Sequence, residues 1–133
     1  MSVNMILLIS IGAVSYISFS NRGLFAKLLF SPYQIERSKE WYRFLTSAWL
    51  HADFNHLFLN LFVLWGFGGF VESVLVAWYG TAGMAYYLAL FIGSTLIAHL
   101  PGYLKNRDNY AYSAVGASGG VSGVLFASIM IQP

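Results

Sequence analysis

The sequence predicts an all-α fold of the membrane kind, a polytopic bundle of transmembrane helices, on three observations. Of the 133 residues, 58% are apolar and only 9% are charged, against about a quarter charged in a typical soluble domain. Seven Lys and Arg with five Asp and Glu are too few to cover a globule of this size with polar side chains. The charges that exist are clustered, and the gaps between them approach the roughly 20 residues a helix needs to cross hydrocarbon. This balance excludes a soluble enzyme. It also excludes a disordered chain, which needs low hydrophobicity and high charge. The length fits a single domain. A net charge of +2, thinly spread, gives no sign of a nucleic-acid partner. With no cysteine in the chain, disulfides and thiolate metal sites are out of reach.

Taken in order, the stretches with few or no charges predict four spans, near 3–20, 55–77, 82–100 and 116–132. Each is expected to be helical, because lipid offers the backbone no hydrogen-bond partner. The first stretch is read as a span and not a secretory signal, since it has neither a preceding basic residue nor a clear small-x-small cleavage site. The segment 21–54 mixes Arg22, Lys27, Glu36, Arg37, Lys39, Glu40 and Arg43 with Phe25, Phe30, Trp41, Tyr42, Phe44 and Trp49. That mixture suits a loop lying in the membrane interface, aromatics at headgroup depth and basic side chains snorkelling. A short connection follows the second span, and a polar one with Lys105, Arg107 and Asp108 precedes the fourth. With four spans the two basic loops share one side, which the positive-inside rule places in the cytoplasm.

Polar side chains inside spans are costly, so they are the first functional candidates. His56 and Asn60 stand four apart and so project from one helix face, with His51 just before them on the loop side. They either bind neighbouring helices together or aim hydrogen-bond donors at a reacting oxygen. The fourth span opens Gly116-Ala-Ser118-Gly119-Gly120-Val-Ser122-Gly123. Gly116 with Gly120, and Gly119 with Gly123, are small-xxx-small pairs suited to close helix packing. A serine between glycines at a helix start can also be a nucleophile, because the free N–H groups and the positive end of the helix favour an oxyanion beside it. Ser118 fits better than Ser122, which lies one turn deeper. The second and fourth spans start from the same face, so His56, Asn60 and Ser118 can converge at one depth.

These residues resemble the rhomboid family of intramembrane serine proteases from about Trp41 onward. Arg43-Phe-Leu-Thr46, then His51, His56 and Asn60, are similar to the family's Arg-containing first loop and H-x4-H-x3-N second helix. Gly66, Gly68, Gly69 and Glu72 fit the end of that helix, and Gly116-Ala-Ser118-Gly119 fits the G-x-S-G nucleophile motif. Tyr42 stands where the family usually has Trp. The resemblance implies four spans of a six-helix rhomboid-like fold in one membrane domain, residues 1–133, incomplete. It implies Ser118 as nucleophile, and His56, Asn60 and the Ser118 N–H as the oxyanion hole. Gly116 and Gly119 support the site, and His51 stands at the mouth of a water-filled cavity. The implied reaction is hydrolysis of peptide bonds in transmembrane protein substrates within the bilayer, through an acyl-enzyme, without metal or cofactor. The expected location is multi-pass in a bacterial inner membrane, with the active-site loops outside the cytoplasm, against the charge rule.

One departure bears on activity. The family takes its general base from a histidine on the sixth helix, and a serine without a base is a poor nucleophile. The expectation is that these residues are the N-terminal part of a longer protease and are inactive by themselves. The alternative is a non-catalytic pseudoprotease that binds transmembrane helices. A third reading is a small-residue bundle that only associates with itself. His99, at the end of the third span, is read as an interfacial histidine, with a substitute base as the alternative.

Overall fold

The computed structural model describes residues 1–133. It is an all-α membrane helix bundle: α1 Val3–Ser20, α2 Arg22–Leu28, α3 Pro32–Ser38, α4 Arg43–Thr46, α5 Phe54–Tyr79, α6 Ala82–Asn106 and α7 Ser118–Ile131. Three of these, α1, α5 and α6, are long and apolar enough to cross a membrane. The stretch expected as a fourth span forms a helix of 14 residues, about 21 Å at 1.5 Å per residue. It begins at Ser118, two residues later than expected, because Gly116 has φ +122°, a backbone that glycine adopts freely and that a right-handed helix does not contain. α6 runs six residues beyond its expected end. Its polar tail, with Lys105 and Asn106, lies outside what a hydrocarbon-length reading detects.

α1 is apolar almost throughout, yet it buries one stripe: Asn4, Leu7, Ile11, Ser15 and Ser18. The spacing of three and four residues places them on one face. At its start Ser2 accepts the Met5 N–H at 3.0 Å. The buried Glu72 of α5 accepts the Val3 and Asn4 N–H groups, each at 2.8 Å. A carboxylate at the positive end of a helix is favourable electrostatically, and here it replaces the cation that a buried acid would otherwise need. Asn4 extends the same network. It accepts from the Tyr87 hydroxyl at 2.7 Å and donates to the Leu64 carbonyl at 3.3 Å. That carbonyl lies in a wide π turn, Leu64–Gly68, inside α5. Gly68 has no room for a side chain, since a Cβ there would lie 2.5 Å from the Tyr87 hydroxyl.

The segment 21–54 folds into α2, α3, α4 and a 3-10 turn, Ser47–Trp49. Arg43 is its anchor. Its buried guanidinium donates to the Ala26 and Leu29 carbonyls at 2.9 and 2.8 Å and to Glu40 at 3.0–3.1 Å. Thr46 donates to the Leu28 carbonyl at 2.9 Å. Phe30 and Ala114 exchange backbone hydrogen bonds at 2.9 and 3.0 Å, joining this segment to the connection before α7. The core beneath, including Leu7, Ile11, Leu57, Leu64, Tyr87, Phe91 and Val121, holds α1, α5, α6 and α7 together. Phe58, Leu59, Phe62 and Trp65 of α5 point outward, as a lipid-facing surface requires.

Replacing Asn4 with leucine leaves the Tyr87 hydroxyl and the Leu64 carbonyl without their partner. The expected cost is about 1–3 kcal/mol of unfolding free energy, read by denaturant titration in detergent. An unchanged midpoint would show that the network carries no stability.

Candidate active site

The nucleophile candidate is placed by the way α7 begins. Ala117 precedes the helix without a side-chain cap, and the first helical bond runs from the Val121 N–H to the Ala117 carbonyl at 2.9 Å. The Ser118, Gly119 and Gly120 N–H groups therefore stand ahead of the helical ladder, as in any helix first turn. The two N–H groups before them are taken. Gly116 donates to the Ser47 carbonyl at 3.0 Å, and Ala117 donates to His51 Nε2 at 3.3 Å. Ser118 is exposed and borders a cavity of about 400 Å³ lined also by His99, Val115, Gly116, Gly119 and Ser122.

His51 is fully buried, where the sequence reading puts it at a cavity mouth. It joins three elements. Ser15 of α1 donates its single hydroxyl proton to the Trp49 carbonyl at 2.7 Å. At the 2.9 Å contact between Ser15 Oγ and His51, Nδ1 must therefore be the donor. Nε2 is then free to accept the Ala117 N–H, so the ring is the neutral Nδ1–H tautomer. Burial, with the neighbouring His56 adding to it, pushes the His51 pKa down to about 4, which keeps the ring neutral. His51 was expected to be polar support. The signal for its partner was available in the serines of α1, which fall on that helix's buried stripe.

His56 lies in the first turn of α5, which Asp53 caps by accepting the His56 N–H at 2.8 Å. Its ring lies edge-on to His51, centroids 4.9 Å apart, and against Gly116, where a Cβ would come within 2.7 Å of Cε1. Gly116 is thus glycine twice over, for its backbone angle and for the histidine beside it. Asn60, one turn further along, is buried, and its Nδ2 has no hydrogen-bond partner. A buried amide left without a partner is uncommon in folded proteins.

The remaining glycines of the motif serve packing. Cβ atoms at Gly119 and Gly120 would meet Ala98 at 2.7 Å and Phe91 at 2.6 Å on α6, and Gly123 abuts Ser94. The pairing of Gly116 with Gly120 expected from spacing does not form, because Gly116 lies outside the helix. Sequence reasoning missed Ser47, whose carbonyl holds Gly116 and whose hydroxyl lies 3.0 Å from His99 Nε2. A serine in a loop carries no spacing signal.

Comparison with known proteins gives an independent reading. A family model described as Rhomboid domain matches residues 38–133. The chain is 34% identical over 103 residues to "Rhomboid-like protein 11, chloroplastic" of Arabidopsis thaliana, covering 77% of this chain and 33% of that protein. It is 33% identical over 85 residues to "Putative rhomboid protease YdcA" of Bacillus subtilis (strain 168), covering 64% of this chain and 38% of that protein. The chain thus spans about a third of the length of these relatives. No solved structure matches it. With the family model covering well over half of its residues, the chain belongs to the rhomboid family.

Proposed function

We propose that the chain carries the nucleophile and oxyanion hole of an intramembrane serine endopeptidase. The observation that carries this reading is Asn60: a buried donor with no partner, one helical turn from a histidine packed against the loop that delivers Ser118. In this reading Ser118 Oγ attacks the scissile carbonyl of a substrate transmembrane helix. The Ser118 N–H, Asn60 Nδ2 and His56 receive the oxyanion. The scissile C–N bond then breaks, the amine leaving with the proton that a base takes from Ser118, and water hydrolyses the acyl-enzyme to regenerate the serine. Removing one such donor costs roughly 10²–10³ in rate where this has been measured. One relative is from a bacterium and the other is named chloroplastic, so a bacterial cell membrane is the location proposed and an organelle membrane is the alternative.

The base is the open part of the reaction. His51 is bonded through both ring nitrogens to Ser15 and Ala117, and His99 Nε2 is engaged by Ser47. Neither is bonded to Ser118. These bonds favour inactivity of the 133 residues by themselves, and they also support the second reading, a pseudoprotease that binds transmembrane helices without cutting them.

Fluorophosphonate labelling separates the two readings. The 133-residue chain in detergent is expected not to label alone and to label when imidazole is added as an external base, with labelling lost in Ser118→Ala. Failure to label under any condition favours the binding reading. Asn60→Leu tests the oxyanion hole against helix packing. Removing an unpaired buried donor is expected to leave the midpoint of unfolding unchanged or raised, whereas a packing role predicts a loss. His51 gives a pH dependence. Its folded pKa of about 4 lies below the usual value of about 6.5, so between these values the unfolded chain binds the extra proton. Stability is expected in full above about pH 6.5 and to fall as pH drops toward 4, with the slope flattened in His51→Gln; parallel melting curves of the two proteins across that range would refute the assignment.

A further inference from the structure

His99 touches two of the three residues that hold the segment leading to Ser118, Phe30 and Ser47; the third is His51, which accepts the Ala117 N–H. Its ring stacks on Phe30, centroids 4.2 Å apart and planes 21° apart, and meets Phe44 edge-on at 6.4 Å. Its Nε2 lies 3.0 Å from the Ser47 hydroxyl. Phe30 is the residue whose backbone pairs with Ala114, and Ser47 is the residue whose carbonyl takes the Gly116 N–H. Ser47 and Phe30 are both fully buried. α6, through one imidazole, thus braces two separate points of the segment 21–54, and those two points grip Ala114 and Gly116 on either side of Val115. His99 also borders the Ser118 cavity, but its hydrogen bond is directed at the brace and not at the serine.

The geometry points to His99 as a positioning residue: acting through the Ser47 hydroxyl, it fixes the Gly116 turn that presents Ser118 and its N–H. This rests on the endopeptidase reading only for the purpose of the turn, not for the existence of the brace. The physical reason for such a brace is the turn itself. Gly116 is in a backbone region with many accessible alternatives, and a nucleophile displaced by about 1 Å loses on the order of 100-fold in rate. Three backbone hydrogen bonds from Phe30 and Ser47, themselves held by the His99 ring stack and hydrogen bond, limit those alternatives. The Ser47 hydroxyl has no other side-chain or backbone partner among the hydrogen bonds of the structure, so the imidazole alone sets its direction.

The test is residue-resolved amide hydrogen exchange by NMR on the 133-residue chain in detergent micelles. His99→Phe keeps an aromatic ring on Phe30 and removes the hydrogen bond. It is expected to speed Gly116 exchange about tenfold, the scale of one lost hydrogen bond, while the Val71 and Tyr87 amides in the helical core keep their rates. His99→Gln, with a polar group near the place of Nε2, is expected to restore most of the Gly116 protection. Ser47→Ala is expected to match His99→Phe, and the double variant to add nothing further, as for two members of one interaction. The inference is overturned if Gly116 exchange is unchanged in His99→Phe, if Gly116 and Val71 accelerate together, if glutamine restores nothing, or if the two variants add. Exchange is read whether or not Ser118 reacts. A serine that resists every fluorophosphonate condition therefore removes the enzyme reading and leaves the brace supported by its own result.

Discussion

The structure depends on where the first backbone N–H groups of α7 go. Near hydrocarbon an unpaired N–H is expensive, so each must be given a partner or left facing a polar space. Gly116 is given to Ser47 and Ala117 to His51. Those two bonds end where the serine begins, and the next three N–H groups remain for whatever enters the cavity. The bonding of the loop therefore decides which amides are available for chemistry. It also explains why the two donors' partners come from elements distant in sequence. A helix start that must stay partly unbonded cannot be held by its own residues.

The opposite end of the bundle follows a different rule. There the buried polar groups are consumed: Glu72 by two N–H groups of α1, and Asn4 by Tyr87 and Leu64. The contrast with Asn60 is informative, because both asparagines are buried and only one is satisfied. A polar group retained for structure is bonded within the chain. The open donor of Asn60 is what the proposed oxyanion hole would use.

Hydropathy made α1, α5 and α6 legible, because a charge within hydrocarbon is costly and apolar runs stand out, with Glu72 the one acid within them. The candidate site residues stand out for a similar reason: His56 and Asn60, at helical spacing, and Ser118 are polar residues in apolar surroundings. Spacing assumes an unbroken helix, however, and two departures from that assumption were hidden. Gly116 was assigned to the helix, since nothing in a glycine's identity reports its φ. The wide turn at Leu64–Gly68 was invisible for the same reason: it changes hydrogen-bond partners without changing composition. His51 was placed too near water because depth beside a loop depends on what packs over it, here Ser15 of α1 and the start of α7. The brace formed by Ser47 and His99 joins residues 52 positions apart, a distance over which no local pattern operates.

That wide turn has a consequence for how one helix serves both ends of the molecule. In an ideal helix each residue advances about 100° around the axis. The twelve steps from Asn60 to Glu72 would then leave the two side chains roughly 120° apart. A π turn accommodates one additional residue, taking back about 100°, so the two fall within about 20° of a common meridian. The oxyanion candidate and the acid that caps α1 can thus share a single inward side. Deleting one residue from 64–68 would leave eleven steps of ordinary helix with the same phase, whereas keeping all the residues and closing the wide turn would swing one of the two toward lipid without altering either.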